Sequence, residues 1–277
     1  MPRISLKALR GASLNVDRIG SGPPIIAIHG FTGSTRTWGP LGRFAQSEYC
    51  TIAVDLLGHG TSDVPETEEL YNGDAYIRAF EELLDKLDIP SVCWLGYSLG
   101  GRIALNAALS LPRRTWAVIL ESTSPGVKSD EERQDRLARD TILADWIEEV
   151  GIHEFVAYWE SLPMWNSQAR LPIVIRDQLR AQRLLSHPMG LAKTLRGLGI
   201  GRTLPLHSQL RDLRAPALVI LGAEDIPYVN IGREIHQLIP RSRLEIIPNA
   251  GHAAHLEQPE QFNATIVDFL RQLSSES

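Results

Sequence analysis

Ser98 stands in the stretch Gly96-Tyr97-Ser98-Leu99-Gly100, directly after the apolar run of residues 92–95 and directly before a helix-forming stretch. Glycines at those two positions permit a turn sharp enough to lift a hydroxyl clear of a sheet, the arrangement of a nucleophile elbow. A serine hydroxyl is a poor nucleophile or base until an imidazole takes its proton and a carboxylate fixes the imidazole tautomer. In a strand–turn–helix setting of this kind the partners come later in the chain, acid first and histidine second. Asp225, after the apolar run of residues 217–222, and His252, after that of residues 243–250, satisfy that order. Glu121 and His255 are the alternative acid and base; Glu121 is expected instead to bound a helix or anchor inserted helices, and Glu224 to point away from Asp225. Negative charge developing on oxygen needs amide donors already in place. The pattern offers Leu99, just after the serine, and Phe31 in the glycine-rich turn His29-Gly30-Phe31-Thr32-Gly33. His29 and His59 read as turn-shaping residues. Arg102 lies four residues after Ser98 and so on the same helical face, where its guanidinium can reach the pocket rim and pair with a carboxylate.

These residues need a rigid frame. Short runs rich in Val and Ile recur at residues 24–30, 50–55, 91–96, 116–122, 216–222 and 243–251, each bounded by Gly, Pro or Asp. Such runs suit strands buried on both faces of a parallel sheet. Helix-length amphipathic segments lie between them, which predicts an α/β fold with a mostly parallel, doubly wound sheet. Residues 4–20 are expected to form a polar antiparallel hairpin at the sheet edge. The alternation stops over residues 126–214, where the chain turns helical and rich in arginine and tryptophan. This predicts a helical cap inserted into a core made of residues 1–125 and 215–277.

Composition narrows the function classes. The chain has 277 residues, 22% charged and 43% hydrophobic, with net charge −5. Arginine supplies 24 of the 28 basic residues, but they are scattered among acids with no basic arm, so no nucleic-acid partner is expected. No apolar stretch reaches membrane-span length, and none near the amino terminus has signal-peptide character. Cys50 and Cys93 sit in apolar contexts and are too few for a disulfide framework, which points to a reducing, cytoplasmic setting. No His/Cys/Asp cluster has ligand spacing and no phosphate-cradling loop occurs, so no metal or cofactor is implied.

The motifs HGFTGS, DLLGHGTS, GYSLGG, GAED and AGHAAHLEQP resemble those of the α/β-hydrolase superfamily over nearly the whole chain. The finer segments LESTSPGV, ERQDRLARD, FVAYWESLPMW, LRAQRL and GLAKTLRGLGIG resemble the 2-succinyl-6-hydroxy-2,4-cyclohexadiene-1-carboxylate synthases of menaquinone biosynthesis. That family eliminates pyruvate from 2-succinyl-5-enolpyruvyl-6-hydroxy-3-cyclohexene-1-carboxylate. The resemblance implies a lyase acting on a small polycarboxylate, with Ser98 as general base through His252 and Asp225. It further implies that Arg136 and Arg183 join Arg102 in binding carboxylates and that Tyr97 and Trp159 line the pocket; Arg180 is the alternative to Arg183. A serine carboxylesterase or carbon–carbon bond hydrolase with the same triad, and a binding protein that lost the chemistry, are the competing expectations. The assembly expected is a monomer or small homo-oligomer.

Overall fold

The computed structural model describes residues 3–275, so the outer limits of the expected core, residues 1 and 277, lie outside the described residues. Eight strands form one sheet: β1 (Arg3–Ser5), β2 (Ser13–Ile19), β3 (Pro24–Ile28), β4 (Cys50–Val54), β5 (Val92–Tyr97), β6 (Thr115–Glu121), β7 (Ala217–Gly222) and β8 (Ser242–Ile247). Their order across the sheet is β1-β2-β4-β3-β5-β6-β7-β8. β2 runs antiparallel to both neighbours, and every other pairing is parallel. The first two strands do make an antiparallel edge. They are not a polar hairpin, however: β2 continues into the sheet against β4, and Leu14 and Val16 are buried.

Alternation along each central strand separates two cores. Ile26, Ile28, Trp94, Val118, Leu120, Val219 and Leu221 face one side, and Ile25, Ala27, Cys93, Leu95, Ile119, Leu218 and Ile220 the other. A period of two with apolar residues at both phases is what a sheet covered on both faces requires. Helices α1 (Gly39–Ala45) and α8 (Pro259–Ser275) cover the second side; α2 (Gly73–Lys86), α3 (Leu99–Ser110) and α7 (Ile226–Leu238) cover the first.

Between β6 and β7 the chain forms α4 (Asp130–Glu160), α5 (Ile173–Leu184) and α6 (Pro188–Leu198), with a 3-10 stretch over Pro163–Arg170. α4 bends at Gly151, whose φ of 75° and ψ of −177° leave helical geometry. Ala144, Ile147, Phe155 and Val156 of α4 pack on Leu191, Ala192 and Leu195 of α6, so this insertion has a small apolar core of its own. Among the described residues no helix is long and apolar enough to cross a membrane. Cys50 and Cys93 are buried free thiols, and burial pushes the Cys93 thiol well above its ordinary range.

Candidate active site

The turn between β5 and α3 is built by contact. A Cβ on Gly96 would collide with the carbonyl of Gly100, and one on Gly100 would collide with the carbonyls of Ile28 and His29. The chain can therefore pass from strand to helix in two residues. The cost falls on Ser98, held at φ 51°, ψ −111°, a sparsely populated region for a residue with a side chain. Its backbone is tied on both sides: Ser98 N–H donates to the Glu121 carbonyl at 2.9 Å, and Thr123 Oγ1–H donates to the Ser98 carbonyl at 2.7 Å.

Ser98, Asp225 and His252 follow the carboxyl ends of β5, β7 and β8, and they meet there. Ser98 Oγ lies 3.1 Å from His252 Nε2, and His252 Nδ1 lies 2.6 Å from Asp225 Oδ2. A carboxylate only accepts, so Nδ1 carries the proton and the Nε2 lone pair receives the serine O–H. His252 is 1% exposed, enclosed by the rings of Tyr97, Trp165 and Tyr228 at 5.4, 5.7 and 4.6 Å between centroids. Leu99 opens α3, where the first N–H groups have no intrahelical acceptor. Phe31 sits in the turn closed by Gly33 N–H on the Gly30 carbonyl at 2.9 Å. Both residues border the cavity that holds Ser98.

That cavity has a volume of about 720 Å³ and reaches from the triad to α4 and the turn after α6. Phe31, Trp159 and Trp165 form a chain of rings along one wall, with neighbouring centroids 5.4 and 5.8 Å apart, and the buried Phe155 packs behind Phe31 and Trp159. Arg102 and Arg136 line it as well. Arg102 makes no ion pair among the described residues: Nη2 donates to the Leu198 carbonyl at 2.6 Å, and its buried Nε has no partner. Burial lowers its pKa, yet a guanidinium remains charged at neutral pH. Arg136 donates from Nε to Asp140 Oδ1 at 2.8 Å, which leaves its terminal nitrogens clear. The cavity thus joins an activated hydroxyl to three guanidiniums, those of Arg102, Arg136 and Arg139, a combination suited to proton abstraction from an anionic guest.

Arg183 is the departure from expectation. It is buried at 8% exposure, but it does not line the Ser98 cavity. It borders a smaller cleft with Gly30, Gln168 and His255, donating to Glu160 at 2.9 Å and lying over the Trp165 ring at 5.3 Å. It shares Glu160 with the more exposed Arg180, one carboxylate for two guanidiniums. The two alternatives for the triad find each other. Glu121, fully buried, accepts from His255 Nδ1 at 2.8 and 2.9 Å and from its backbone N–H at 3.0 Å. Glu121 therefore does not anchor the inserted helices; it belongs to a buried pair behind Tyr97, whose ring lies 4.7 Å from His255. Glu224 turns to Arg170. His29 accepts from Leu56 N–H at Nε2 (3.0 Å) and donates from Nδ1 to the Gly30 carbonyl (2.7 Å), and burial lowers its pKa to about 4. His59 is likewise depressed to about 3 by burial.

Much of the lining escaped sequence reasoning, Asp140, Tyr228 and Trp165 among it. Asp140 holds Arg136 from one helical turn away, a spacing that could have been noticed. Tyr228 follows Asp225 by one turn, and Trp165 belongs to an irregular stretch with no periodic signal. Among the described residues no group of three or more His, Cys, Asp or Glu side chains is placed to hold a metal ion.

A serine–histidine–aspartate relay at the carboxyl ends of a parallel sheet, beneath helices inserted between β6 and β7, defines a class. The chain belongs to the alpha/beta hydrolase fold family, whose sequence model matches residues 23–259. Within that class its relatives are narrower. It is 40% identical, over 89% of both chains, to a Bacillus subtilis protein provisionally named 2-succinyl-6-hydroxy-2,4-cyclohexadiene-1-carboxylate synthase. A Serratia proteamaculans protein bearing that name outright is 32% identical over 90% of this chain and 93% of its own. The solved structure of MenH from S. aureus superposes with a TM-score of 0.90 at 33% identity, covering 94% of this chain and 98% of that one.

Proposed function

We propose that this protein is a 2-succinyl-6-hydroxy-2,4-cyclohexadiene-1-carboxylate synthase of menaquinone biosynthesis, a lyase that expels pyruvate from 2-succinyl-5-enolpyruvyl-6-hydroxy-3-cyclohexene-1-carboxylate. The single observation that supports it beyond family likeness is Arg102, a half-buried guanidinium without an acid, in the same cavity as Ser98. A charge desolvated there at a cost needs an anionic guest to offset it.

The ring locants define the chemistry. Conversion of a 3-ene into a 2,4-diene removes a proton from C2 and the enolpyruvyl oxygen from C5, while the C3=C4 pair moves between them. C2 adjoins the succinyl carbonyl, so the electron pair released from C–H delocalises onto that oxygen. His252 Nε2 draws the Ser98 proton, with Asp225 holding the charged imidazole, and Ser98 Oγ takes the C2 proton. The amides of Leu99 and Phe31 donate to the developing oxyanion. Collapse of the dienolate breaks the C5–O bond, and imidazolium protonates the departing enolpyruvate, which becomes pyruvate. Ser98 ends with the substrate proton, so it is restored and no acyl-enzyme forms. Arg102 and Arg136 hold carboxylates and fix C2 against the base. Arg183, held by Glu160 in a neighbouring cleft, takes no direct part.

Pyruvate release from the enolpyruvyl substrate by purified protein tests this reading, with Ser98→Ala as control. Release that disappears in Ser98→Ala is the expected result. No release above background, together with burst-phase hydrolysis of p-nitrophenyl esters, would replace the lyase with a hydrolase.

A further inference from the structure

Arg102 lines two cavities. Beyond it, away from the triad, lies a second one of about 440 Å³, sharing only Leu99 and Arg102 with the cavity of Ser98. We propose that this second cavity binds a small carboxylate, the size of the three-carbon 2-oxo acid released at Ser98, which reaches it past Arg102. The identity of the occupant rests on the proposed elimination; the carboxylate chemistry rests on the lining alone.

The two cavities differ in character. The Ser98 cavity has an aromatic wall, whereas the second is bordered by Asn72, Asn106, Ser124, Gln209 and two guanidiniums, Arg102 and Arg202. Neither guanidinium has an ion-pair partner among the described residues, and Asp74 is the single acid on the lining. Asp74 lies in the first turn of α2, where the helix dipole offsets a negative charge. A chamber with two unmatched cations and a set of amide donors suits a compact anion. At about 30 Å³ per water, its volume accommodates a three-carbon acid together with several waters.

The partition between the cavities is thin, and it is fixed from both sides. It is the last turn of α6 and the turn after it, where glycines alternate because each presses on another backbone or side chain. A Cβ on Gly197 would lie 2.6 Å from the Tyr71 carbonyl, one on Gly199 would meet the Leu195 carbonyl and Asp140, and one on Gly201 the Leu137 amide. Arg102 joins the partition by its bond to the Leu198 carbonyl. That carbonyl is a neutral acceptor, and a carboxylate makes a charge-assisted bond roughly twice as strong. An anion leaving the Ser98 side can therefore exchange for Leu198 at Arg102 and continue into the second cavity. The larger ring product remains on the aromatic side.

Pyruvate binding and pyruvate inhibition read this chamber separately from catalysis. Two variants are made: Arg202→Glu, at an exposed position outside the triad cavity, and Asn106→Leu, which fills the chamber without changing charge. Calorimetric titration of resting protein with pyruvate is expected to show binding that weakens by about tenfold or more in both variants. In steady state, pyruvate is expected to inhibit noncompetitively against the enolpyruvyl substrate, with the inhibition relieved in both variants and initial-rate kcat/KM retained. Pyruvate binding of equal strength in wild type and both variants, or purely competitive inhibition that neither changes, would overturn the proposal. Absence of pyruvate release from the substrate would instead refute the proposed reaction, and the titration of resting protein would still decide whether the chamber takes a carboxylate.

Discussion

Replacing Arg102 by alanine separates a residue kept for binding from one kept for the fold. In the free protein Arg102 costs desolvation and gains one bond, to Leu198, while its buried Nε makes none. Alanine loses that bond, worth about 1 kcal/mol net, but also removes an uncompensated polar group costing about 1–3 kcal/mol. The two nearly cancel, so the melting temperature should move by no more than about 3 °C in either direction. With substrate bound the balance changes. Loss of a charge-assisted, forked pairing with a carboxylate costs about 2–4 kcal/mol. At about 1.4 kcal/mol per tenfold, kcat/KM should fall by about 30- to 900-fold, mainly through KM. Arg102→Lys keeps the charge but not the fork, and should fall between. The assay is initial-rate pyruvate release across substrate concentration, beside thermal unfolding. A KM within threefold of wild type, or a melting temperature lowered by more than about 8 °C with unchanged KM, would show that Arg102 serves α6 and not the substrate.

Ser98→Gly should melt above Ser98→Ala, by an amount equivalent to about 1 kcal/mol, because glycine tolerates φ 51° while alanine does not; both should be inactive, and equal melting temperatures would remove the claim of strain. The buried neutral His29, with a pKa near 4 against about 6.5 unfolded, makes the unfolded state bind more protons between those values. Stability should therefore be fully present above pH 6.5 and fall toward pH 4, which denaturant midpoints at pH 7 and 5 would show. A flat profile would contradict it. Gly222→Ala drives a Cβ into the carbonyls of Ala250 and Gly251, beside His252, so kcat should drop by at least about tenfold with loss of stability of about 2 kcal/mol or more. Retained kcat would mean that the loop carrying His252 yields freely.

Much of the fold was legible because its signals are local. Apolar runs of strand length, interrupted by amphipathic helices, encode a doubly covered parallel sheet through side-chain period alone. The Gly96-to-Gly100 turn announces itself by residue type, since only glycine tolerates the carbonyls of Gly100, Ile28 and His29 at those positions. The edge strand was misread as polar because its inward residues, Leu14 and Val16, are few and spaced among charges. Of the site, Ser98, Asp225 and His252 were readable from order along the chain.

Partner choice was not readable. Glu121 and His255 carry the same functional groups as Asp225 and His252, and only the packing of β6 against the segment after β8 turns them toward each other and away from Ser98. Arg183 and Arg136 look alike in sequence; Glu160 and the Trp165 ring hold the first in another cleft, while Asp140 holds the second in the cavity of Ser98. What the sequence by itself determined was backbone course and the inventory of chemistry, because steric limits and hydrophobic period act over a few residues. Which charges meet, and which stay unmatched to await a ligand, was decided by tertiary structure. Electrostatic pairing depends on distances of a few ångströms between residues as much as 223 positions apart, as Glu48 and Arg271 are.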